Sequence, residues 1–199
     1  MSRSRRYDAG AIAIHWLTAL AVIALLAMGL TMTSLRPGSA LQFSLYQWHK
    51  SVGITVLALS LIRLLWRLAH RAPALPASMA PWEQWAAHAG HLALYGLLFA
   101  MPLTGWAVVS ASPYNIPTVL YGLIPFPHLP ILATLQDKKP VLAVLEQIHS
   151  AGAWIMIATL VGHIAAALRH QFLLRDGVME RMLPRFGRRS GTGISAQEL

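Results

Sequence analysis

The chain has 199 residues, 56% hydrophobic and only 12% charged, with a mean hydropathy of +0.52 and a formal net charge of +9. That is too apolar for a water-soluble domain of this size and fits a membrane protein. The absence of cysteine excludes disulfides, zinc–thiolate sites, iron–sulfur clusters and thioether-linked haem; the positive charge flanks apolar runs, which argues against a nucleic-acid partner.

In chain order, Met1–Asp8 is a basic tip carrying Arg3, Arg5 and Arg6. The first apolar run has no small-residue cleavage site and is long enough to cross a bilayer, so it reads as a span over about 9–33. A short connection with Pro37 and Gly38 leads to a second span over about 46–68, whose last turns carry Arg63 and Arg67, positioned to snorkel to the interface. Pro73, Pro76 and Pro81 stop the helix, and a third span follows over about 82–110 with Pro102 inside it. The longest connection, 111–139, holds Pro113, Pro117, Pro125, Pro127 and Pro130; its apolar stretch is too broken to span and reads as a surface or re-entrant segment. A fourth span covers about 140–172. The expected fold is all-α, an integral membrane four-helix bundle formed by residues 1–184, with 185–199 as a basic, flexible tail.

Charge sets the orientation. The N-terminus, the 2–3 connection with the adjoining end of span two, and the C-terminal end carry twelve of the sixteen Lys and Arg residues; the other side carries Arg36, Lys50, Lys138 and Lys139. The positive-inside rule then puts both termini in the cytoplasm. Trp16, Trp48, Trp66, Trp82 and Trp85 lie near span ends, where aromatic belts sit.

The histidines sort by depth on that topology. His149 and His163 share span four, 14 residues apart; this is about 21 Å of rise and about 40° short of four turns, so both project from nearly one face. His15 falls at the inner level with His163, and His49 at the outer level with His149. Two facing pairs at two depths are what two bis-imidazole haems need. Gly29, 14 residues after His15, lies on the same face at the outer level, where a porphyrin could pack against backbone; Gly53, Gly152 and Gly162 also neighbour the histidines. Small residues also serve simply to let membrane helices approach.

The order of motifs, IHW in span one, WHKSVGI opening span two, AHAGHLALY opening span three and two histidines 14 apart in span four, resembles the bacterial cytochrome b561 family. It is also similar to the di-haem cytochrome b subunits of nickel–iron hydrogenases and formate dehydrogenases. The resemblance covers about 6–184 and implies four helices, two haem b and electron transfer between the outer side and quinone in the bacterial inner membrane. It carries axial-ligand roles onto His15, His49, His149 and His163.

His88 and His91, three residues apart on one face, are left over. They could touch a propionate of the inner haem or deliver protons to a quinone, or be hydrogen-bonded interfacial histidines; His91 is also the rival to His15 as inner ligand. Arg63 lies near the same level. At the outer face Lys50, Lys138, Lys139 and Arg36 form a basic rim, suited to haem propionates or to steering a small anion such as superoxide, unless they are solvated loop lysines. His70, His128 and His170 sit in connections or at a span end and read as ordinary surface histidines. Three functions stay open: a membrane oxidoreductase passing electrons from a periplasmic donor, small anion or protein, to ubiquinone; a cytochrome b subunit of a larger dehydrogenase or hydrogenase; or a haem-free bundle with histidine proton relays.

Overall fold

The computed structural model describes residues 6–70, 72–76 and 79–184. The tail 185–199 expected from sequence, and Arg3, Arg5, Arg71, Arg185, Arg188 and Arg189 used in the charge count, lie outside the described residues.

Four long helices are each long and apolar enough to cross a membrane. Helix α1, Ala9–Ser34, starts where the Asp8 side chain accepts from the Ala11 backbone N–H at 2.9 Å. The same carboxylate accepts from Trp66 Nε1 at 3.1 Å, which ties the start of α1 to the end of α2. Helix α2, Ala40–Ala69, begins six residues before the apolar span. The extra turns form because Ser39 caps the Gln42 N–H, while the Gln42 amide reaches back to the Met32 carbonyl and the Gly38 N–H. Helix α3, Pro81–Ser110, opens on a proline in its first turn, where a missing N–H costs nothing.

The proline-rich connection is not simple loop. It holds a two-stranded antiparallel hairpin, β1 Thr118–Leu120 and β2 Ile124–Phe126, and a one-turn helix α4, Pro130–Ala133. Tyr121 and Gly122 have φ of 54° and 72°, and Leu123 N–H bonds Leu120 C=O at 3.0 Å, a type I′ turn. Tyr121 docks the turn on α2: its N–H meets Ser51 Oγ at 3.0 Å, its hydroxyl meets Thr55 Oγ1 at 2.6 Å, and its ring lies on Trp48. Leu123 and Ile124 stay exposed at the tip. The hairpin thus lies on the surface of α2, with strands that its prolines concealed.

Helix α5, Lys139–Arg169, continues into a π-helical turn, His170–Leu174, that ends at Arg175 with φ of 50°. Helix α1 packs on α2, α2 on α3 and α3 on α5. The buried centre is one side chain from each long helix: Val22, Val56, Leu98 and Met156. Leu17, Leu20, Ile23, Trp154, Ile155 and Val161 point outward, as lipid-facing side chains do.

One end of the bundle is strapped. Tyr7 N–H bonds the Arg181 carbonyl, Trp16 Nε1 the Met182 carbonyl at 2.8 Å, and Arg6 Nη2 the Leu183 carbonyl at 2.6 Å. Arg181 Nη1 donates to the Ala74 carbonyl of the α2–α3 connection at 2.5 Å. The N-terminal end, that connection and the C-terminal segment therefore share one face, the inner face of the sequence reading. Arg169 and Glu83 pair there at 2.5 Å, joining α5 to α3. His170, expected at the surface, is buried at the start of the π turn and bonds Asp176 Oδ2 through Nδ1 at 2.6 Å. Partial burial works to raise the Asp176 pKa, but hydrogen bonds from His170 and from the Val178 N–H outweigh it and hold the carboxyl below its usual range. His70 stays exposed, stacked on Trp66.

Candidate cofactor-binding site

Each long helix contributes three residues at seven-residue spacing, and the bundle turns them into three layers. Helix α1 gives His15, Val22 and Gly29; α3 gives His91, Leu98 and Gly105; the antiparallel α2 and α5 give Arg63, Val56, His49 and His163, Met156, His149. Seven residues rise about 10.5 Å, so a dry apolar layer separates two polar levels about 21 Å apart.

At the outer level His49 and His149 face each other with ring centres 6.3 Å apart. His149 Nδ1 lies 3.0 Å from Thr104 Oγ1, whose hydroxyl donates to the Met101 carbonyl. That leaves the hydroxyl to accept, so the His149 proton sits on Nδ1 and the Nε2 lone pair is free, the tautomer a metal-ligating imidazole needs. His49 Nδ1 is buried without a hydrogen-bond partner. Both rings line a cavity of about 400 Å³, whose wall comes from all four long helices: mostly apolar side chains with Gly29, Gly53 and Gly105, and the charged side chains of Lys50 and Glu146. A Cβ at Gly29 would stand 3.4 Å from His49 Cε1, and one at Gly105 only 3.1 Å from His149 Cε1. Glycine at these two positions keeps side chains out of the space beside each imidazole.

At the inner level His15 and His163 have ring centres 6.4 Å apart. His91 stands nearer to His163, at 5.7 Å, and is open to the outside of the bundle. Arg63 Nη2 lies 3.1 Å from His15 Nδ1, with its guanidinium also over the Tyr95 ring at 5.4 Å. A guanidinium can only donate, so here Nδ1 of His15 accepts and the proton sits on Nε2. This is the opposite tautomer to His149. Trp16, held by the strap, packs edge-on against His15 at 5.5 Å. His88 is exposed and spends its Nδ1 on the Gln84 carbonyl at 2.6 Å, so it takes no part in the inner level.

The spacing tests the donor set for haem. Two imidazoles on opposite sides of one metal, with bonds of about 2.0–2.1 Å and about 1.1 Å from nitrogen to ring centre for bonds of ~1.33 Å, have ring centres about 6.3 Å apart. Both the His49–His149 and His15–His163 pairs fit this, and the His91–His163 pair is too close.

The profile of the prokaryotic cytochrome b561 family matches residues 6–185. The chain belongs to the prokaryotic cytochrome b561 family. It is 34% identical over 178 residues to cytochrome b561 homolog 2 of Escherichia coli (strain K12), covering 89% of this chain and 91% of that one. Cytochrome b561 homolog 1 of the same organism is 26% identical over 181 residues, covering 90% and 98%. The probable superoxide oxidase CybB of Yersinia pestis is 29% identical over 185 residues, covering 91% and 97%. As a prokaryotic cytochrome b561, the chain is a multi-pass protein of the bacterial inner membrane that transfers electrons by b-type haem.

The outer rim differs from its sequence reading. Lys139 is exposed, and Lys50 lines the mouth of the cavity with Nζ 3.1 Å from the Pro117 carbonyl. Lys138 is not a rim charge. It is 9% exposed, with Nζ on Asn115 Oδ1 at 2.7 Å and on the Ser112 carbonyl, because the 112–117 loop folds down over the start of α5. Sequence reading also missed Gly105 and Thr104. Their signal was present: Gly105 follows His91 by the same 14 residues that separate Gly29 from His15.

Proposed function

We propose that this cytochrome holds two haem b, one between His49 and His149 and one between His15 and His163, and carries electrons from a small anionic donor at the outer face, superoxide, to ubiquinone at the inner face. The observation that carries the reading is the pair of imidazole separations, 6.3 and 6.4 Å, at two levels of one bundle. The name of the Yersinia pestis relative supports the donor. Bound there, the haems supply one-electron chemistry at irons with no open coordination position.

The chain's own residues do the rest. Thr104 holds His149 in the ligating tautomer, and Gly29 and Gly105 keep the outer cavity open. The layer of Val22, Val56, Leu98 and Met156 keeps water out between the levels. A haem held between His15 and His163 would need the His15 Nε2 lone pair, and so the ring proton on Nδ1; Arg63, which donates to that Nδ1, would then be free to hold a quinone carbonyl or a propionate at the inner level. His91, open to the outside and beside His163, is the candidate to pass protons to the quinone. Two superoxide anions give up one electron each and leave as dioxygen; one ubiquinone takes both electrons and two protons to become the quinol. Lys50 and Lys139 supply the positive field at the outer face.

Purified protein should show reduced b-type absorption bands and two haems per chain, and should reduce a ubiquinone analogue when superoxide is generated and no partner protein is present. Absence of b-type bands would end the haem reading. Two haems that superoxide leaves oxidised would favour a subunit fed by a docked protein donor.

A further inference from the structure

The hairpin of the long connection reaches far down the bundle. Its turn is docked on Ser51 and Thr55 of α2, two and six residues past His49. At about 1.5 Å per residue, those anchors lie about 3 and 9 Å nearer the middle of the bundle than the outer level. The middle is the layer of Val22, Val56, Leu98 and Met156, each within three residues of its helix's midpoint. With that layer at the bilayer centre, Ser51 stands about 7.5 Å from the centre and Thr55 about 1.5 Å. Half of a hydrocarbon core is about 15 Å. The turn at Tyr121 and Gly122 therefore lies well inside the outer leaflet rather than above it.

The composition and hydrogen bonding of the hairpin fit that depth. Residues 116–127 carry no charged side chain. Leu123 and Ile124, 81% and 60% exposed, present bare apolar side chains at the tip. Lipid offers the backbone no hydrogen bonds, so unpaired groups are costly there. The turn spends its donors inside the protein: Tyr121 N–H on Ser51 Oγ, Gly122 N–H on the Val119 carbonyl and Leu123 N–H on the Leu120 carbonyl. The Tyr121 hydroxyl donates to Thr55 Oγ1, whose own proton goes to the Ser51 carbonyl. Pro125 and Pro127 have no N–H to leave unpaired, and Trp106 Nε1 donates to the Pro127 carbonyl at 2.8 Å. The Tyr121 ring lies against Trp48, itself half-exposed at the height of an aromatic belt. The tip is thus continuous with the lipid-facing surface of the bundle.

We propose that the 118–126 hairpin is a re-entrant membrane element whose tip, Leu123 and Ile124, is seated among the acyl chains of the outer leaflet. Its partner is lipid, recognised by depth and by the absence of charge. At the base of the same hairpin Thr118 and Phe126 line the outer cavity, so the element runs from the cavity wall into the bilayer. The proposal does not depend on which residues ligate haem or on what donates electrons.

The chain has no cysteine, so one introduced cysteine takes one nitroxide label. The full chain with its haems bound carries the label at Leu123→Cys or Ile124→Cys, in vesicles of phosphatidylethanolamine and phosphatidylglycerol. Leu20→Cys, exposed near the middle of α1, is the lipid reference; Gln136→Cys, exposed just before α5, is the aqueous reference. Power-saturation EPR reads collisions of the label with oxygen, which concentrates among acyl chains, and with a neutral nickel chelate, which stays in water. Each is measured as the increment over the same sample under nitrogen, which removes the constant effect of ferric haem. Both tip labels should meet the nickel chelate about tenfold less often than the Gln136 label does, because a polar solute enters hydrocarbon at a cost. They should meet oxygen about as often as the Leu20 label. Nickel collisions equal to those at Gln136 would place the tip in water and overturn the proposal. Few collisions with either reagent would mean that protein covers the tip, a second copy if label–label broadening accompanies it, and would overturn lipid as the partner. Two tip positions, each checked for unchanged haem content, guard against a variant that misfolds.

Discussion

The two polar levels are built from the same register on the same four helices, yet they are opposites. The outer level faces its histidines with glycines: Gly29 and Gly105 stand at the positions where the inner level has His15 and His91. The inner level fills its fourth position with Arg63, where the outer level has His49. One level is therefore open, apolar and fixed in a ligating tautomer by Thr104, while the other is crowded with a guanidinium, a third imidazole and the Tyr95 ring. Shape suits the first to holding a cofactor rigidly. Charge and a spare histidine suit the second to exchanging protons and electrons with something that arrives from lipid.

The strongest way to break this comparison is to remove the ligands. His149→Ala with His163→Ala should leave no stable haem, whereas His49→Ala alone should leave one haem per chain and His15→Ala alone one at the other level; pyridine haemochrome content reads this directly. Two full haems in His15→Ala would move the inner ligand to His91. Closing the glycine wall comes next. Gly105→Leu drives a side chain against His149, and overpacking typically costs about 1–3 kcal/mol, so the outer haem should be lost and the inner one kept. Equal loss at both levels would show that the glycines serve helix packing only.

Arg63→Met sharpens the inner side. A hydrogen bond to a charged group is worth about 1.5–3 kcal/mol, so quinone reduction should fall roughly ten- to hundredfold while the reduced spectrum of the outer haem stays unchanged. Replacing Lys50 and Lys139 by Gln should slow superoxide reduction of the outer haem by only a few-fold and flatten its salt dependence, because steering acts through a field screened over about 8–10 Å. Equal salt slopes would leave these as ordinary loop charges.

The smallest effect belongs to the strap. Asp176 has a depressed pKa in the folded protein, so its contribution is present above the unfolded value near 3.9 and is lost as pH falls through the lower folded value. Asp176→Asn should therefore lower thermal stability slightly at neutral pH, by about 1 kcal/mol or less for a partly exposed pair, and should match wild type below about pH 3.

The sequence made the histidine register legible because a helix repeats its face every seven residues or so, and fourteen residues carry that face across a bilayer. His149 and His163 announce it within one helix. Gly29 was readable from His15, and Gly105 was equally readable from His91, had the same step been taken on α3. The tautomers were not legible: they depend on which side chain from another helix, Thr104 or Arg63, arrives at Nδ1. The proline-rich connection hid the most. Prolines argue against helix and against central strands, but Pro125 sits in a two-stranded hairpin, where strand edges are free. A lysine in such a segment reads as solvated until the loop is seen to fold over it, which is why Lys138 was misplaced.

Helix α5 supplies one member to each imidazole pair, and it is the last long helix made. A ribosome adds about 5–20 residues per second, so roughly 5 to 20 s separate the appearance of His49 from that of its facing partner His149. Through that interval the nascent chain carries unpartnered imidazoles and an unlined cavity, and neither level can retain haem. On the proposed ligation, loading would then wait for α5 to be made. Since the strap from Arg181 to Leu183 closes on Trp16 later still, the start of α1 waits for that segment to hold it. Chains cut short anywhere before His149 should carry no haem, which would let the cell distinguish finished from unfinished molecules by their colour alone.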